Sequence, residues 1–281
     1  MQTGITPDQV VLFRSLASAL CAGAVQAISD RSSFKLQKSE LLPLSALGVV
    51  GVALMQWSYS NAVSLLPVGI ALLIEYTAIL IVPIASLMIF RTKVSARLWL
   101  GAVLVICGLL VVSNIWAGGL NPVGIAFAFG AAIFLSVYFI LGERVQKSRS
   151  SMSLLFYSML ISSIFWMIAS PWWRIDSNLL TQTIDLSGNL AGVALTAWQL
   201  MIWVGIAGSF APMLLSFLAL RHLSASTVGI TSTAETLFAF TFAWLWLKEE
   251  ISLLQAIGGA LVLAGIIFAQ TSRRHTWQQL N

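Results

Sequence analysis

Apolar residues along this chain gather in long runs, and most charged residues fall in the gaps between them. Nine runs can be delimited, at approximately 9–29, 41–62, 67–90, 97–114, 122–142, 152–171, 194–220, 224–247 and 252–270, lettered A to I. Each is about 18 residues or longer and apolar all round, as a helix crossing a hydrocarbon core about 30 Å thick must be. A membrane β-barrel would need shorter segments of alternating polarity. Pro43, Pro67, Pro122 and Pro171 fall at run ends, where a missing N–H costs little. Pro83 and Pro212 are interior; each leaves the carbonyl four residues earlier without its helical partner and predicts a kink.

Composition agrees with the pattern. Apolar residues make up 58% of the chain and charged residues 9%, against about 25% charged in soluble domains. The prediction is an all-α integral membrane protein with nine transmembrane helices. The net charge of +5 does not point to nucleic acid, because the basic residues are scattered among short loops as orientation signals are. One side carries twelve: Arg31, Lys35, Lys38, Arg91, Lys93, Arg97, Arg144, Lys147, Arg149, Arg221, Arg273 and Arg274. The other has Arg174 and Lys248. This bias predicts a multi-pass protein of the cell membrane with a cytoplasmic C-terminus. An odd number of runs then puts the N-terminus outside, with no basic residue before run A to mark a cleavable signal. Trp99, Trp116, Trp172, Trp173 and Trp277 lie near run ends as interfacial anchors do, whereas Trp57, Trp166 and Trp203 are inner.

Few residues inside the runs carry chemistry. Cys21 and Cys107 read as buried small hydrophobes and not as a disulfide or metal site. The histidines, His222 and His275, fall at the cytoplasmic edge, and no run holds a His/Cys ligand set, which argues against a membrane-embedded enzyme. No phosphate-cradling loop followed by Lys and Ser or Thr is found, so no ATP-driven motor is expected within the chain. Glu75, within LPVGIALLIEYTAILIVP, is the exception. A charge at the bilayer centre costs about 2.5–3.5 kcal/mol on insertion scales and is a functional-site hypothesis by default. Glu235 in run H is a second such carboxylate.

The two glutamates belong to an internal repeat. Run D reads GAVLVICGLLVV from Gly101 and run I reads GGALVLAGIIFA from Gly258, so that Gly101, Leu104, Val105 and Gly108 match Gly258, Leu261, Val262 and Gly265. Run C reads VGIALLIE up to Glu75 and run H reads VGITSTAE up to Glu235. By the charge count C and H cross in opposite senses, so the repeats are inverted, as in many secondary transporters whose sites lie near the midplane. Residues 1–114 are expected to form the first repeat and residues 115–281 the second, with the first one helix short.

LPVGIALLIEYTA in run C, NPVGIAFAFGAAIFLSVYFILGE through run E and AETLFAFTFAWLWLKEEISLLQAIGGALVLAGIIFA through runs H and I resemble the drug/metabolite transporter superfamily. The resemblance is to its EamA-type branch, with the block around Glu75 closest to amino-acid-exporter-like members. It implies two inverted five-helix repeats, with this chain starting at the equivalent of the second helix and Arg14 matching an arginine common near that helix's start. Either the true start lies upstream, or this is a nine-helix variant or remnant. The family pattern often has a proline near the helix-four glutamate, where this chain has Ile79.

Glu75 lies roughly 12 Å from the outer end of C and Glu235 roughly 16 Å from the inner end of H, from the helical rise. A carboxylate that alternates between protonated and ionised couples proton entry to export of an amine, with the proton gradient in place of a cofactor. Ala71 and Ala78 flank Glu75, and Thr231 and Ser232 offer hydroxyls near Glu235. Arg14, roughly 9 Å deep, would pair with Glu75, bind a carboxylate or snorkel outward. Gln56, Trp57, Tyr59, Asn61 and Tyr138 supply polar or aromatic walls, and Gly101, Gly108, Gly258 and Gly265 serve helix packing. The expected function is proton-coupled export of a small polar, amino-acid-like metabolite by alternating access. A non-transporting assembly partner or truncated remnant is the alternative. Expected partners are the substrate and the bilayer, with a homodimer as the further assembly to consider.

Overall fold

The computed structural model describes residues 6–29, 34–90, 95–113, 120–174, 181–185, 194–235, 238 and 253–271. Each apolar run has a helical counterpart: α1 (Pro7–Ser29), α2 (Lys38–Leu65), the pair α3 (Val68–Glu75) and α4 (Ala78–Phe90), α5 (Ala96–Ser113), α6 (Pro122–Val145), α7 (Ser151–Ala169), α8 (Ala197–His222), α9 (Ala225–Ser232) and α10 (Leu253–Thr271). Among the described residues, six spans are long and apolar enough to cross a membrane, counting α3 with α4 as one, and Ala96–Val111 and Ala256–Ala269 are shorter apolar stretches. The chain is therefore a multi-pass helical membrane protein. Arg31, Arg91, Lys93, Trp116, Lys248, Arg273, Arg274, His275 and Trp277 lie outside the described residues.

Two compact units make up the chain. One comprises Met1–Ser60 with Leu141–His222, the other Asn61–Ile140 with Leu223–Asn281. Each draws on both sides of residue 114.

In the first unit, α1 packs on α7. Its buried stripe is Val11, Leu12, Ser15, Ser18, Ala19 and Ala22, a helical spacing that turns one face inward. Small and hydroxyl residues dominate it, which lets backbones approach in a medium where apolarity alone does not drive helices together. The Ser15 and Ser162 hydroxyls share a hydrogen bond of 2.9 Å. A Cβ on Gly48 would meet Ile161 at 2.7 Å, so α2 also lies close to α7. At one end of α1, the Ser170 hydroxyl donates to Asp8 and Gln9 Nε2 donates to the Pro171 carbonyl.

In the second unit, α5 and α10 pack antiparallel: Gly101 abuts Gly265 and Ala269, and Gly108 abuts Gly258 and Val262. The pairing is reciprocal, because Gly101 matches Gly258, and Gly108 matches Gly265, in the sequence repeat. The packing role expected for these four glycines is what the structure shows. A Cβ on Gly101 would sit 2.6 Å from the Gly265 carbonyl oxygen, and one on Gly265 would sit 2.6 Å from that of Gly101. Backbone cannot swing aside as a side chain can. Gly101→Ala and Gly265→Ala are each expected to destabilise the protein by about 1–3 kcal/mol, read as lower thermal midpoints in detergent. Cys107→Ala, on the exposed side of α5, should leave the midpoint unchanged.

Several expectations are corrected. Pro43 lies inside α2, not at its end, because the helix begins earlier, at Lys38, where Gln37 and Glu40 form a reciprocal capping box. The interruption in run C falls at Tyr76–Thr77 and not at Pro83, which α4 accommodates. Thr77 explains this: its hydroxyl donates to the Ile74 carbonyl at 2.6 Å and its N–H to the same oxygen, a local bond that competes with the helical ladder. Thr233 does the same to Ile230 just beyond α9. Cys107 is exposed and Cys21 half-buried, since an outward face in a membrane meets lipid and a small apolar side chain gains little from burial there. Among the inner tryptophans, Trp57 stacks near Trp166, centroids 6.0 Å apart, whereas Trp203 is exposed. The helix of run G begins at Ala197, preceded by a two-stranded antiparallel sheet of β1 (Thr183–Asp185) and β2 (Ala194–Thr196).

Candidate functional site

The second unit brings the two repeat glutamates together. Glu75 is the last residue of α3, within the buried run from Ile70, and is 8% exposed. Ala71 and Ala78, the small neighbours on its face, are fully buried. Run H folds as α9 through Ser232, turns at Thr233 and resumes at Ala234, leaving Glu235 exposed. The two carboxylates lie within electrostatic reach of one another. In a membrane such groups face protein or water and not hydrocarbon.

Tyr76, next to Glu75 in the chain and absent from the candidates above, contacts Glu235 directly. Its ring is buried, and its hydroxyl lies 2.8 Å from Glu235 Oε2 and 3.1 Å from the Ser232 carbonyl oxygen. The position follows from the break after Glu75. A continued helix would turn Tyr76 in regular 100° steps from its neighbour, and the Thr77 turn instead ends α3 beside it. One sequence signal was available: a tyrosine hydroxyl deep in an apolar run needs a polar partner. Thr231 and Ser232 do not use their hydroxyl protons on Glu235. Thr231 donates to the Thr227 carbonyl and Ser232 to that of Val228, both at 2.9 Å. Tyr138 is buried on α6, edge-on to Phe139 at 5.4 Å.

Arg14 and Tyr59 belong to the first unit. Arg14 donates from Nε to Ser209 Oγ at 2.7 Å and from an Nη to the Gly208 carbonyl at 3.1 Å. That carbonyl lies four residues before Pro212, which has no N–H to offer it, and the guanidinium supplies a donor there. The stretch Ile206–Phe210 is a π-helical turn, a widening common at functional positions. Ser18 adds a bond to the Gly205 carbonyl at 3.0 Å. Helix α2 carries a π-helical stretch too, at Leu47–Leu54. Just beyond it, Gln56 is buried and its Nε2 approaches Met213 sulfur at 3.5 Å; its Oε1 has no hydrogen-bond partner among the described residues. Tyr59 is half-buried one turn on. No group of His, Cys, Asp and Glu able to hold a metal is found among the described residues.

Comparison with known proteins places this geometry in context. The family model described as "EamA-like transporter family" matches residues 1–114 and again 122–271. An uncharacterised transporter of Bacillus subtilis, YdfC, is 22% identical over 273 residues, covering 94% of this chain and 82% of that protein. The threonine/homoserine exporter RhtA of Escherichia coli K12 is 22% identical over 245 residues, covering 85% and 75% respectively. A solved structure described only as "Crystal structure of protein" superposes with a TM-score of 0.75 at 16% identity, over 98% of this chain and 91% of that one.

Proposed function

The chain belongs to the EamA-like transporter family, and from that premise we propose that it exports a small amino-acid-like metabolite in exchange for protons, by alternating access. The observation that carries the reading is the pairing of Glu75 with Glu235. They are the only carboxylates that the sequence places deep within apolar runs, they occupy equivalent positions in the two repeats, and the second unit holds them close to one another. A site with two carboxylates and a hydroxyl offers an amine an anionic partner. Proton uptake removes that partner, so proton and amine compete for the same oxygens. The similarity to RhtA, an exporter of threonine and homoserine, favours a neutral amino acid as the first substrate to test.

Two inverted repeats, residues 1–114 and 115–281, form part of the proposal, with a cytoplasmic C-terminus. The reciprocal, antiparallel glycine contact of α5 with α10 supports it, as a local two-fold axis would exchange Gly101 with Gly258 and Gly108 with Gly265. The π-helical turns in α2 and α8 add a second matched feature. Within the first unit, Arg14, held to α8 at such a turn, and Tyr59 are the residues proposed to contact substrate, and within the second unit Thr231 is.

Purified protein in proteoliposomes should accumulate labelled threonine when a pH gradient is imposed, with the accumulation abolished by a protonophore. Flux no greater than in protein-free liposomes, across a panel of neutral and basic amino acids, would refute the assignment and favour a non-transporting role.

A further inference from the structure

Tyr76 has one hydroxyl proton and two acceptors within reach, Glu235 Oε2 at 2.8 Å and the Ser232 carbonyl at 3.1 Å. A single proton cannot serve both acceptors fully. Which one it serves depends on what the carboxyl group needs. An ionised carboxylate only accepts, and a protonated carboxyl group can donate.

We propose that Tyr76 is a two-position hydrogen-bond switch for Glu235. With Glu235 ionised, the tyrosine proton points to Oε2. With Glu235 protonated, the carboxyl O–H donates to the tyrosine oxygen, whose own proton turns to the Ser232 carbonyl. The proton that Glu235 gains comes from water and returns to it; the tyrosine keeps its own throughout and only rotates about its C–O bond. Each form of the carboxyl group is thus hydrogen-bonded through the tyrosine oxygen, once as acceptor and once as donor. Tyr76 is a positioning residue here, acting through Glu235. The inference rests on the proposed proton exchange only for its use, not for its geometry.

The location gives the switch its consequence. Tyr76 occupies the break between α3 and α4, directly after Glu75, and Ser232 is the last residue of α9 before the Thr233 turn. A change of proton at Glu235 is therefore felt at the interruptions of both repeat-related helices. Glu75 lies within electrostatic reach of Glu235. Among the described residues, the other titratable side chains on elements packed nearby are Tyr138, Glu143 and Arg144 on α6, the last two at its C-terminal end, and Arg97 and Cys107 on α5, both exposed. The described parts of α4 and α10 carry none.

Infrared difference spectra between high and low pH, recorded on the full chain in lipid nanodiscs, test this directly. Wild type should show a protonated-carboxyl C=O band that Glu235→Gln removes. In Tyr76→Phe, which keeps the ring, the band should move to higher wavenumber, having lost the oxygen that accepts its proton. Ring-labelled tyrosine should supply a second signal in unsubstituted protein: a C–O band that changes with pH in wild type and not in Glu235→Gln. An unchanged band position in Tyr76→Phe, or no pH-dependent tyrosine signal in wild type, overturns the proposal. Transport measured in parallel separates the two readings. A moving band with pH-independent flux would leave the switch standing and refute proton coupling.

Discussion

Replacing Glu75 by glutamine should reduce pH-driven accumulation of labelled amino acid in proteoliposomes to the level of protein-free liposomes. Glutamine has the size and shape of a protonated glutamic acid and cannot exchange a proton. Glu75 is enclosed at 8% exposure with its neighbours from Ile70 to Tyr76 buried, so no water-accessible group on α3 stands ready to replace it. The substitution removes an ionisable group from an apolar surround and leaves packing intact, and the thermal midpoint should stay level or rise. Loss of flux with a preserved midpoint would assign the effect to chemistry. Undiminished, still pH-driven flux would remove Glu75 from the mechanism.

The second large effect concerns stability. Arg149 follows α6 and reaches across the first unit with its whole fork: Nε and one Nη hold the two oxygens of Glu40 at 3.1 and 2.7 Å, the same Nη donates to the Lys35 carbonyl at 2.6 Å, and the other Nη donates to Ser153 Oγ at 2.8 Å. The guanidinium also sits over the Tyr157 ring, 5.0 Å from its centroid, and the Tyr157 hydroxyl donates to the Phe34 carbonyl. The two charged side chains are 7% and 15% exposed, so this is not a surface pair. Arg149→Met would leave Glu40 with its partner gone and little water to replace it, a loss of about 3–5 kcal/mol. Arg149→Lys should recover only part, since an ammonium group cannot span both oxygens in the same plane. Pairing Arg149→Met with Glu40→Leu should restore most of the loss. Thermal unfolding of the four proteins, with and without substrate, checks this, and equal midpoints for wild type and Arg149→Met would contradict it.

The helices were legible because length and apolarity alone define a membrane span, and because a repeat in glycine positions marks a close helix contact. Gly101 and Gly265 show how far this goes. Their spacing in sequence suggested packing, but which glycine faces which emerged only once α5 and α10 were seen to run antiparallel. Glu75 and Glu235 were legible as charges in the wrong medium. Tyr76 was not, because its role depends on a break caused by Thr77, a residue that hydrogen-bonds locally and carries no periodic signal. Arg14 was legible as a charge. Its bond to the Gly208 carbonyl joins residues 194 apart, which adjacency in sequence does not reveal. Pro43 misled for the opposite reason: proline is a sound boundary marker, but the capping box at Gln37 and Glu40 started the helix before it.

Proton exchange through the glutamate pair is tested most directly by following protons themselves. A pH-sensitive dye trapped inside proteoliposomes, with an outward gradient of threonine and no initial pH difference, should report acidification of the lumen as the amino acid leaves. Glu75→Gln should abolish that signal. Threonine efflux at the wild-type rate with no movement of protons would contradict the coupling.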